Sequence, residues 1–379
     1  MWYNHRSRIL NTAFSGPDRI VPLARLWARP LRIEIDVNNF CNLRCPHCLR
    51  NSKKARVGRD QLGVADLRRL APWFESALMV RLGGSGEPFA QQNICDVIEF
   101  IQGYGTAVCV ITNCTLLDER TARRLCGPRL SLLDLSIDAA TPAVFEKVRL
   151  GAKFDGVVAN VDRLATIKRE TGSIFPVLNV NMTLMRDTLD EIEGVVDLAH
   201  RWGAPVLNAQ TIMFFDESMD RSQDVTHRDA QAAVARALPN ARRAGVEIRY
   251  VPLAATFETL AQEEADGGQV ASAHPYYDHA KTVSGSKRFY CPMLWHHMWI
   301  DVFGNVTACC MADFGTVGNI RDSEPAQIWN HPTLVALRRR LIGGDLPAEC
   351  RRCSMLEQFS RRKAFRMWRA EWPGLRKMF

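Results

Sequence analysis

The sequence lacks long hydrophobic runs, and this absence excludes a protein held in a membrane by apolar helices. Within its 379 residues no apolar stretch approaches the roughly 20 residues that span a bilayer. The opening MWYNHRSRIL also lacks the apolar segment of a secretory signal peptide. Hydrophobic residues nevertheless make up 47% of the chain, which is enough to bury a large core. We therefore predict a cytoplasmic protein that has no membrane partner.

A fourth cysteine is missing beside three that lie close together. The segment NNFCNLRCPHCLR places Cys41, Cys45 and Cys48 in a C-x3-C-x2-C array. In a reducing compartment such thiols indicate metal binding or catalysis rather than disulfides. A closed zinc site takes four ligands, and His47 stands between two of the cysteines, where simultaneous ligation is awkward. A 4Fe–4S cluster held by three thiolates would instead leave one iron open to a cofactor or substrate.

Strand-like and helix-like segments alternate along the chain from residue 31. In LRIEIDV, apolar residues alternate with polar ones, as in a strand with one apolar face. Repeated β-α units predict a parallel sheet with helical crossovers, and six in a row predict an α/β fold built as a partial (β/α)6 TIM-like barrel. In such a barrel, chemistry collects at the carboxyl ends of the strands. The six strand candidates are 31–37, 77–84, 106–113, 130–138, 176–184 and 205–212.

The triple-cysteine loop after the first strand resembles the signature of the radical S-adenosylmethionine (SAM) superfamily. In that family three cysteines bind a 4Fe–4S cluster, SAM chelates the fourth iron, and reductive cleavage of SAM gives a 5′-deoxyadenosyl radical. The resemblance implies that Cys41, Cys45 and Cys48 are the cluster ligands. It also implies that His47 lies beside the adenine of SAM.

Two further strand ends resemble motifs of the same family. LGGSGEPFA resembles the GGE motif, which implies that Gly84, Gly86 and Glu87 meet the SAM amino group; on its own it is equally a structural glycine-rich turn. VITNCTLL resembles a strand end that usually reads Thr-Asn-Gly, which implies a cofactor contact for Asn113. Cys114 replaces that glycine. Either the turn avoids positive φ, or a thiol stands near the active site; a small buried thiol is the simpler interpretation.

The segment LSIDAATPAVFEKVRLGAKFD resembles the branch of the superfamily that carries extra C-terminal clusters. This resemblance implies that Ser136 and Asp138 approach the ribose or carboxylate of SAM and that Arg149 holds the carboxylate. Asn181, in LNVNMT, is a further ribose candidate. Each of these side chains could instead cap or brace its own loop.

A second group of cysteines lies towards the C-terminal end of the sequence. Four thiolates there could hold zinc or an iron–sulfur cluster. The spacing C-x12-G-x4-C, followed by a late CxxC, resembles the SPASM/Twitch extension of radical SAM enzymes. That resemblance implies an auxiliary, fully ligated 4Fe–4S cluster on Cys291, Cys309, Cys350 and Cys353.

The second cysteine group differs from the full SPASM pattern in two ways. A full SPASM domain continues with further cysteines, whereas Phe359 and Lys363 occupy those places here, so we expect a small Twitch-like domain with one cluster. Cys310 is not needed as a ligand. It could be a structural thiol, a substitute ligand, or a catalytic donor of a hydrogen atom to a substrate radical.

The sequence predicts five regions. They are an N-terminal segment (1–30), the radical SAM barrel (31–215), a connecting segment whose pattern is not legible (216–288), the Twitch-like domain (289–355) and a basic tail or helix (356–379). The formal net charge of +8 comes partly from the basic runs LRRR, RRC and RRK in the last quarter of the chain. Such runs are more often solvated helix faces than partner sites.

The resemblance implies an enzyme that removes a hydrogen atom from a bound substrate after SAM cleavage, with an external electron donor such as flavodoxin or ferredoxin. We expect oxidation or epimerisation of a small natural-product intermediate. The alternative within the superfamily is modification of a ribosomally made peptide. Enzymes of that kind often carry an N-terminal leader-binding domain, for which 30 residues are too few.

A hypothesis from another class is a zinc-stabilised, basic protein that binds nucleic acid. It predicts affinity that falls steeply with salt. It gives no purpose to the Gly-Glu and Ser-Ile-Asp strand ends, so we do not expect a nucleic-acid partner.

Overall fold

The protein is described by a computed structural model. The described residues are 2–53, 55–127, 129, 131–214, 216–251, 288–309, 314–350, 353 and 356–358. Cys310, Phe359, Lys363 and nearly all of the predicted basic tail lie outside them.

Seven parallel strands form the centre of the fold. Each strand pairs with the next along the chain. The strands are parallel because every connection between them is a helical crossover. The predicted parallel α/β architecture is confirmed, and a seventh strand, in the sequence VEIRYV, lies within the connecting segment 216–288. The strands are β1 Arg32–Asp36, β2 Met79–Gly83, β3 Ala107–Thr112, β4 Ser131–Ser136, β5 Val177–Leu184, β6 Val206–Thr211 and β7 Glu247–Val251.

Helices cover the outer face of these strands. Branched and aliphatic side chains of the strands, such as Ile33, Val80 and Leu133, are fully buried against them. Two of the long helices end at glycines in the left-handed conformation, Gly172 and Gly245. The helices are α1 Trp2–Ile20, α2 Val64–Leu67, α3 Ala71–Phe74, α4 Ile94–Gln102, α5 Glu119–Leu125, α6 Pro142–Val148, α7 Phe154–Thr171, α8 Ile192–Arg201 and α9 His227–Ala244.

The C-terminal part continues the same sheet on its other side. Strand β9 (His297–Ile300) pairs in parallel with β1, and β10 (Asn305–Thr307) and β11 (Thr316–Asn319) follow in antiparallel fashion. A separate two-stranded ladder joins β8 (Phe289–Tyr290) to β12 (Glu357–Gln358). Among the described residues, three helices complete this part: α10 Pro292–Trp295, α11 Pro325–Trp329 and α12 Pro332–Gly343.

This pairing brings the two cysteine groups onto one sheet. The order of its strands is β11-β10-β9-β1-β2-β3-β4-β5-β6-β7. Since β1 leads into the first cysteine array and β9 lies in the second cysteine region, the two regions are joined by backbone hydrogen bonds rather than by a linker alone.

The N-terminal segment, whose sequence shows no clear period, forms α1, which packs against the segments that lead into β2 and β3. Arg8 of this helix is fully buried and donates to the carbonyl of Ala77 (2.7 Å) and to the hydroxyl of Thr106 (3.0 Å). Burial lowers the pKa of Arg8 to about 10. Among the described helices, none has both the length and the apolar character needed to cross a membrane.

Candidate active site

The first cysteine array lies in the loop that follows β1. Cys41, Cys45 and Cys48 are free thiols; Cys45 is buried and the other two are half-buried. The Cys41 sulfur accepts hydrogen bonds from the backbone N–H of Leu43 (3.3 Å) and from Nδ2 of Asn113 (3.6 Å). Burial raises the pKa of the Cys45 thiol to about 11, so a bound cation is needed to hold it as a thiolate near neutral pH.

These thiols do not form a site for a single ion. In the described part of the chain, no three His, Cys, Asp or Glu side chains come together as the ligands of one metal ion would. In a 4Fe–4S cluster the thiolates bind different irons, so they need not point at one centre. The three free thiols are therefore compatible with a 4Fe–4S cluster.

A buried charged group stands beside the array. Asp138, which follows β4, is fully buried, and its Oδ2 lies 2.6 Å from Nε of Arg149 and 3.4 Å from Nε2 of His47. Its Oδ1 accepts a hydrogen bond from the backbone of Thr183 (2.8 Å). Although burial opposes its charge, Arg149 and His47 hold the pKa of Asp138 below its usual value.

His47 is the neutral member of this group. Burial lowers its pKa to about 4, with the Arg149 charge adding to the effect. The imidazole, which belongs to the cysteine loop, is therefore an uncharged ring at neutral pH. The predicted contacts of His47, Asp138 and Arg149 with SAM stay predictions, but the three side chains do lie together at the carboxyl ends of the strands.

The glycines of the loop after β2 are required by close packing against the cysteine loop. Gly84 has φ +98°, and a Cβ there would lie 1.8 Å from Oδ1 of Asp36. A Cβ on Gly86 would lie 1.7 Å from Oδ1 of Asn38 and 2.6 Å from the carbonyl oxygen of Phe40. This loop is therefore fitted to the backbone that leads directly into Cys41.

A Gly86→Ala variant is expected to lose stability by about 3 kcal/mol and to retain less iron, because the Phe40 carbonyl cannot retreat without shifting Cys41. Iron content and thermal unfolding of the anaerobically purified protein test this. Gly156→Ala on α7 is the matched control, since its nearest atom is 3.9 Å away and alanine favours the helix by up to about 1 kcal/mol. Equal iron in both variants would contradict the packing argument.

Glu87 follows these glycines in the loop after β2. Its buried carboxylate reaches the carboxyl end of the neighbouring strand β3. Its Oε1 accepts from Thr112 Oγ1 (2.7 Å) and from the N–H of Phe89 (3.1 Å), and its Oε2 accepts from the N–H of Asn113 (2.7 Å). Burial raises the pKa of Glu87. The carboxylate thus ties the β2 loop to the β3 end. A contact of Glu87 with the SAM amino group stays a prediction.

The turn that carries Cys114 keeps the left-handed conformation despite the replaced glycine. Cys114 has φ +64° and is fully buried, and burial raises the pKa of its thiol. The idea that the turn avoids positive φ is therefore wrong. A left-handed conformation costs a residue with a Cβ roughly 1 kcal/mol, so the surrounding contacts hold the turn in place.

Ser136 and Asn181 lie side by side at the same end of the sheet. They are register partners on β4 and β5, and Asn181 Oδ1 accepts from Nδ2 of Asn208 on β6 (2.8 Å). Both residues are partly exposed, on the face of the sheet away from the helices. Their predicted SAM contacts stay predictions.

That inner face carries charges that the motif analysis missed. Arg81 on β2 donates to Asp134 Oδ2 on β4 (2.9 Å), Asn179 on β5 donates to Asp134 Oδ1 (3.1 Å), and Glu34 on β1 lies next to Arg81 in register. The side chain of Arg81 is 36% exposed although it sits mid-strand. Charged residues in the middle of parallel strands were the available signal, because such strands are normally apolar on both faces.

Asp36, the last residue of β1, is a second buried carboxyl near the site. Its Oδ2 accepts from Ser85 Oγ (2.7 Å). Burial and the charges of Asp301 and Glu34 raise the pKa of Asp36 to about 7. At neutral pH this carboxyl is therefore partly protonated.

The Asp36→Asn variant is expected to gain thermal stability relative to the wild type as pH rises from 5.5 to 7. The raised pKa means that the folded protein holds this proton more tightly than the unfolded chain, whose carboxyl has a pKa of about 3.9. That stabilisation is complete below about pH 3.9 and is lost as pH rises through about 7. Asparagine does not titrate, so the difference should grow by up to about 2 kcal/mol over this range. A stability difference between the variant and the wild type that does not change with pH would contradict the raised pKa of Asp36.

The second cysteine group comes together on the C-terminal part. Cys291, Cys309, Cys350 and Cys353 are all half-buried. Burial raises the pKa of Cys291 and that of Cys350, the latter to about 11, and the charges of Cys353 and Cys309 add to both shifts. Cys309 and Cys353 therefore lie near enough to both Cys291 and Cys350 for their charges to act on them.

Comparison with known proteins agrees with this geometry. Residues 35–199 match the model of the radical SAM superfamily, and residues 291–354 match that of the SPASM iron-sulfur cluster-binding domain. The chain therefore carries a radical SAM domain followed by a SPASM domain. The cofactors that these domains imply are SAM and 4Fe–4S clusters.

A curated relative covers only part of the chain. The GTP 3′,8-cyclase of Hydrogenovibrio crunogenus is 31% identical over 188 residues, which are 48% of this chain and 54% of that protein. The chain spans about half the length of the curated relatives it matches.

Two solved structures share the fold over most of the chain. SuiB of Streptococcus suis bound to its precursor peptide SuiA has a TM-score of 0.62 at 14% identity, covering 81% of this chain and 66% of that one. anSMEcpe with bound AdoMet (SAM) and the Kp18Cys peptide has a TM-score of 0.57 at 17% identity, covering 92% of this chain and 98% of that one.

Proposed function

We propose that the protein is a radical SAM enzyme that removes a hydrogen atom from a small polar substrate and oxidises or epimerises it. The observation that carries this proposal is the meeting of the three free thiols with the Asp138–Arg149–His47 group at the strand ends. When bound, the cluster and SAM supply a 5′-deoxyadenosyl radical on one-electron reduction. The electron would come from an external donor of the flavodoxin or ferredoxin kind.

Different residues would bind the cluster and SAM. Cys41, Cys45 and Cys48 would hold the cluster, and Arg149 would offer its charge to the SAM carboxylate. Arg149 is well placed for this because Asp138 already fixes its guanidinium from the buried side. The neutral ring of His47 would pack against the adenine without adding charge.

The substrate class is proposed from the inner face of the sheet. Its partly exposed side chains are mostly polar, and Glu34 accepts no hydrogen bond from any described residue. Burial raises the pKa of Glu34, and the charges of Arg81 and Arg32 act against its negative charge, so this part of the wall is polar without a marked excess of one charge. Such a wall favours a compact substrate with hydroxyl or amino groups over an apolar one.

In this proposal the second cysteine group determines whether the substrate is oxidised or epimerised. A cluster on Cys291, Cys309, Cys350 and Cys353 would accept an electron from the substrate and leave a two-electron oxidation. Cys310, if it donates a hydrogen atom instead, would give an epimer. Because β9 pairs with β1, the second group lies on the sheet that carries the substrate face, which supports the electron-accepting role.

A second candidate is modification of a peptide. SuiB and anSMEcpe, whose solved structures contain peptides, share this fold over most of the chain. These similarities concern the fold alone, so the polar inner face remains the stronger guide to the substrate.

The direct test of the proposal is SAM cleavage by the reconstituted protein under dithionite. We expect 5′-deoxyadenosine and methionine in equal amounts, with none formed without dithionite or without iron. An iron-loaded protein that binds SAM and leaves it intact would overturn the proposal.

A further inference from the structure

Of the three cysteines in the first array, Cys41 has a distinct environment. Its sulfur accepts the two N–H hydrogen bonds already described, from Leu43 and Asn113. From the described residues, the sulfurs of Cys45 and Cys48 accept none. A hydrogen bond to a cluster thiolate favours the more negative, reduced state of the cluster and raises its reduction potential.

The orientation of the Asn113 amide is fixed by its other contacts. Its Oδ1 accepts from the N–H of Thr115 (3.0 Å) and from Thr115 Oγ1 (2.6 Å). Exchanging the amide oxygen and nitrogen would put an NH2 group against these two donors, so Nδ2 must face the sulfur. The same Nδ2 also donates to Oδ1 of Asn42 (3.1 Å).

Glu87 in turn fixes the backbone of Asn113. Its carboxylate is only 2% exposed and accepts from the N–H of Asn113 and from the hydroxyl of Thr112. Glu87 comes from the loop after β2, whereas Asn113 directly follows β3, so segments after two strands together orient one amide towards Cys41. An amide placed only to cap its own turn would need no such second support.

We propose that Asn113 sets the reduction potential of the first cluster through its hydrogen bond to Cys41, and that Glu87 is the positioning residue for this bond. The inference rests on the proposed function, because it requires a cluster on Cys41. In this proposal Asn113 affects the cluster before SAM binds, which differs from a direct contact with SAM.

The test is a redox titration of the anaerobic holoenzyme without SAM, followed by electron paramagnetic resonance. The signal to follow is the one that changes shape when SAM is added to a parallel sample, since that cluster has the open iron. We expect Asn113→Leu to shift its midpoint potential to more negative values at unchanged iron content. Asn160→Leu is the matched control, because this asparagine donates to the carbonyls of Cys114 (3.0 Å) and Thr115 (3.1 Å) and not to a sulfur.

Thr115→Val keeps the proposal testable if Asn113→Leu fails to assemble a cluster. It removes one of the two donors that orient Asn113 and should give a smaller shift in the same direction. Glu87→Gln should also shift the potential negatively, because an NH2 group replaces one of the two oxygens that accept from Thr112 and Asn113 and cannot accept in its place.

Potentials equal to wild type in Asn113→Leu and Thr115→Val would overturn the inference, and weakened SAM binding in those variants would then assign Asn113 to SAM alone. A wild type with no SAM-responsive signal would instead count against the proposed function. The two failures are therefore distinguishable.

Discussion

A Cys45→Ser variant is expected to form no detectable 5′-deoxyadenosine from SAM and to lose one cluster's worth of iron. Cys45 is the most buried thiol of the first array, and burial leaves little room for water or buffer to replace a lost ligand. A hydroxyl is also far less acidic than a thiol and does not replace it as an iron ligand. Anaerobic reconstitution, iron analysis and product detection under dithionite measure both effects.

Cys126→Ser is the matched control for this variant. Cys126 is a free, half-buried thiol at the end of α5, outside both cysteine groups. Its replacement should leave the iron content and SAM cleavage unchanged. SAM cleavage at the wild-type rate in Cys45→Ser would remove this cysteine from the cluster.

The Arg149→Met variant should lose stability by about 3 kcal/mol and bind SAM much more weakly. Its side chain is 13% exposed and lies against the fully buried carboxylate of Asp138. Removing one partner of a buried ion pair leaves the other charge uncompensated, at a cost of about 3–5 kcal/mol. Thermal unfolding measures the stability, and equilibrium dialysis with labelled SAM measures the binding.

A second substitution separates the two effects of Arg149. In the double variant Arg149→Met/Asp138→Asn the unpaired charge is gone, so most of the stability should return while SAM binding stays weak. Lys153→Met is a surface control: Lys153 pairs with Glu146 (2.7 Å) but is 82% exposed, and such pairs contribute at most about 1 kcal/mol. Unchanged SAM binding in Arg149→Met would contradict the assigned role.

The sequence was sufficient to predict β1 to β6 because these strands obey simple patterns. LRIEIDV and PVLNVNMTL alternate between faces, and both became strands within a residue or two of the expected ends. The strand-end motifs were equally predictable, because carboxyl ends of parallel strands meet at one edge. The roles of His47, Asp138 and Arg149, by contrast, came from the family resemblance, since Arg149 ends a helix and follows no strand.

Contacts between distant segments could not be predicted in this way. Nothing in the sequence pairs β9 with β1, since that register depends on tertiary packing. The packing of Gly86 against Asn38 and the aim of the Asn113 amide depend on angles between loops. The α1 helix was missed because its hydrophobic period is broken by polar residues such as Arg8, which the fold buries with carbonyl partners.

The account depends most on the presence of two clusters with different ligands. The decisive measurement is iron and sulfide content after anaerobic reconstitution, together with SAM cleavage under dithionite, for the wild type and a Cys350→Ala/Cys353→Ala double variant. We predict two 4Fe–4S clusters in the wild type and one in the variant, with cleavage retained. One cluster in both proteins, or zinc in the C-terminal site, would contradict the electron-accepting role of the second cysteine group.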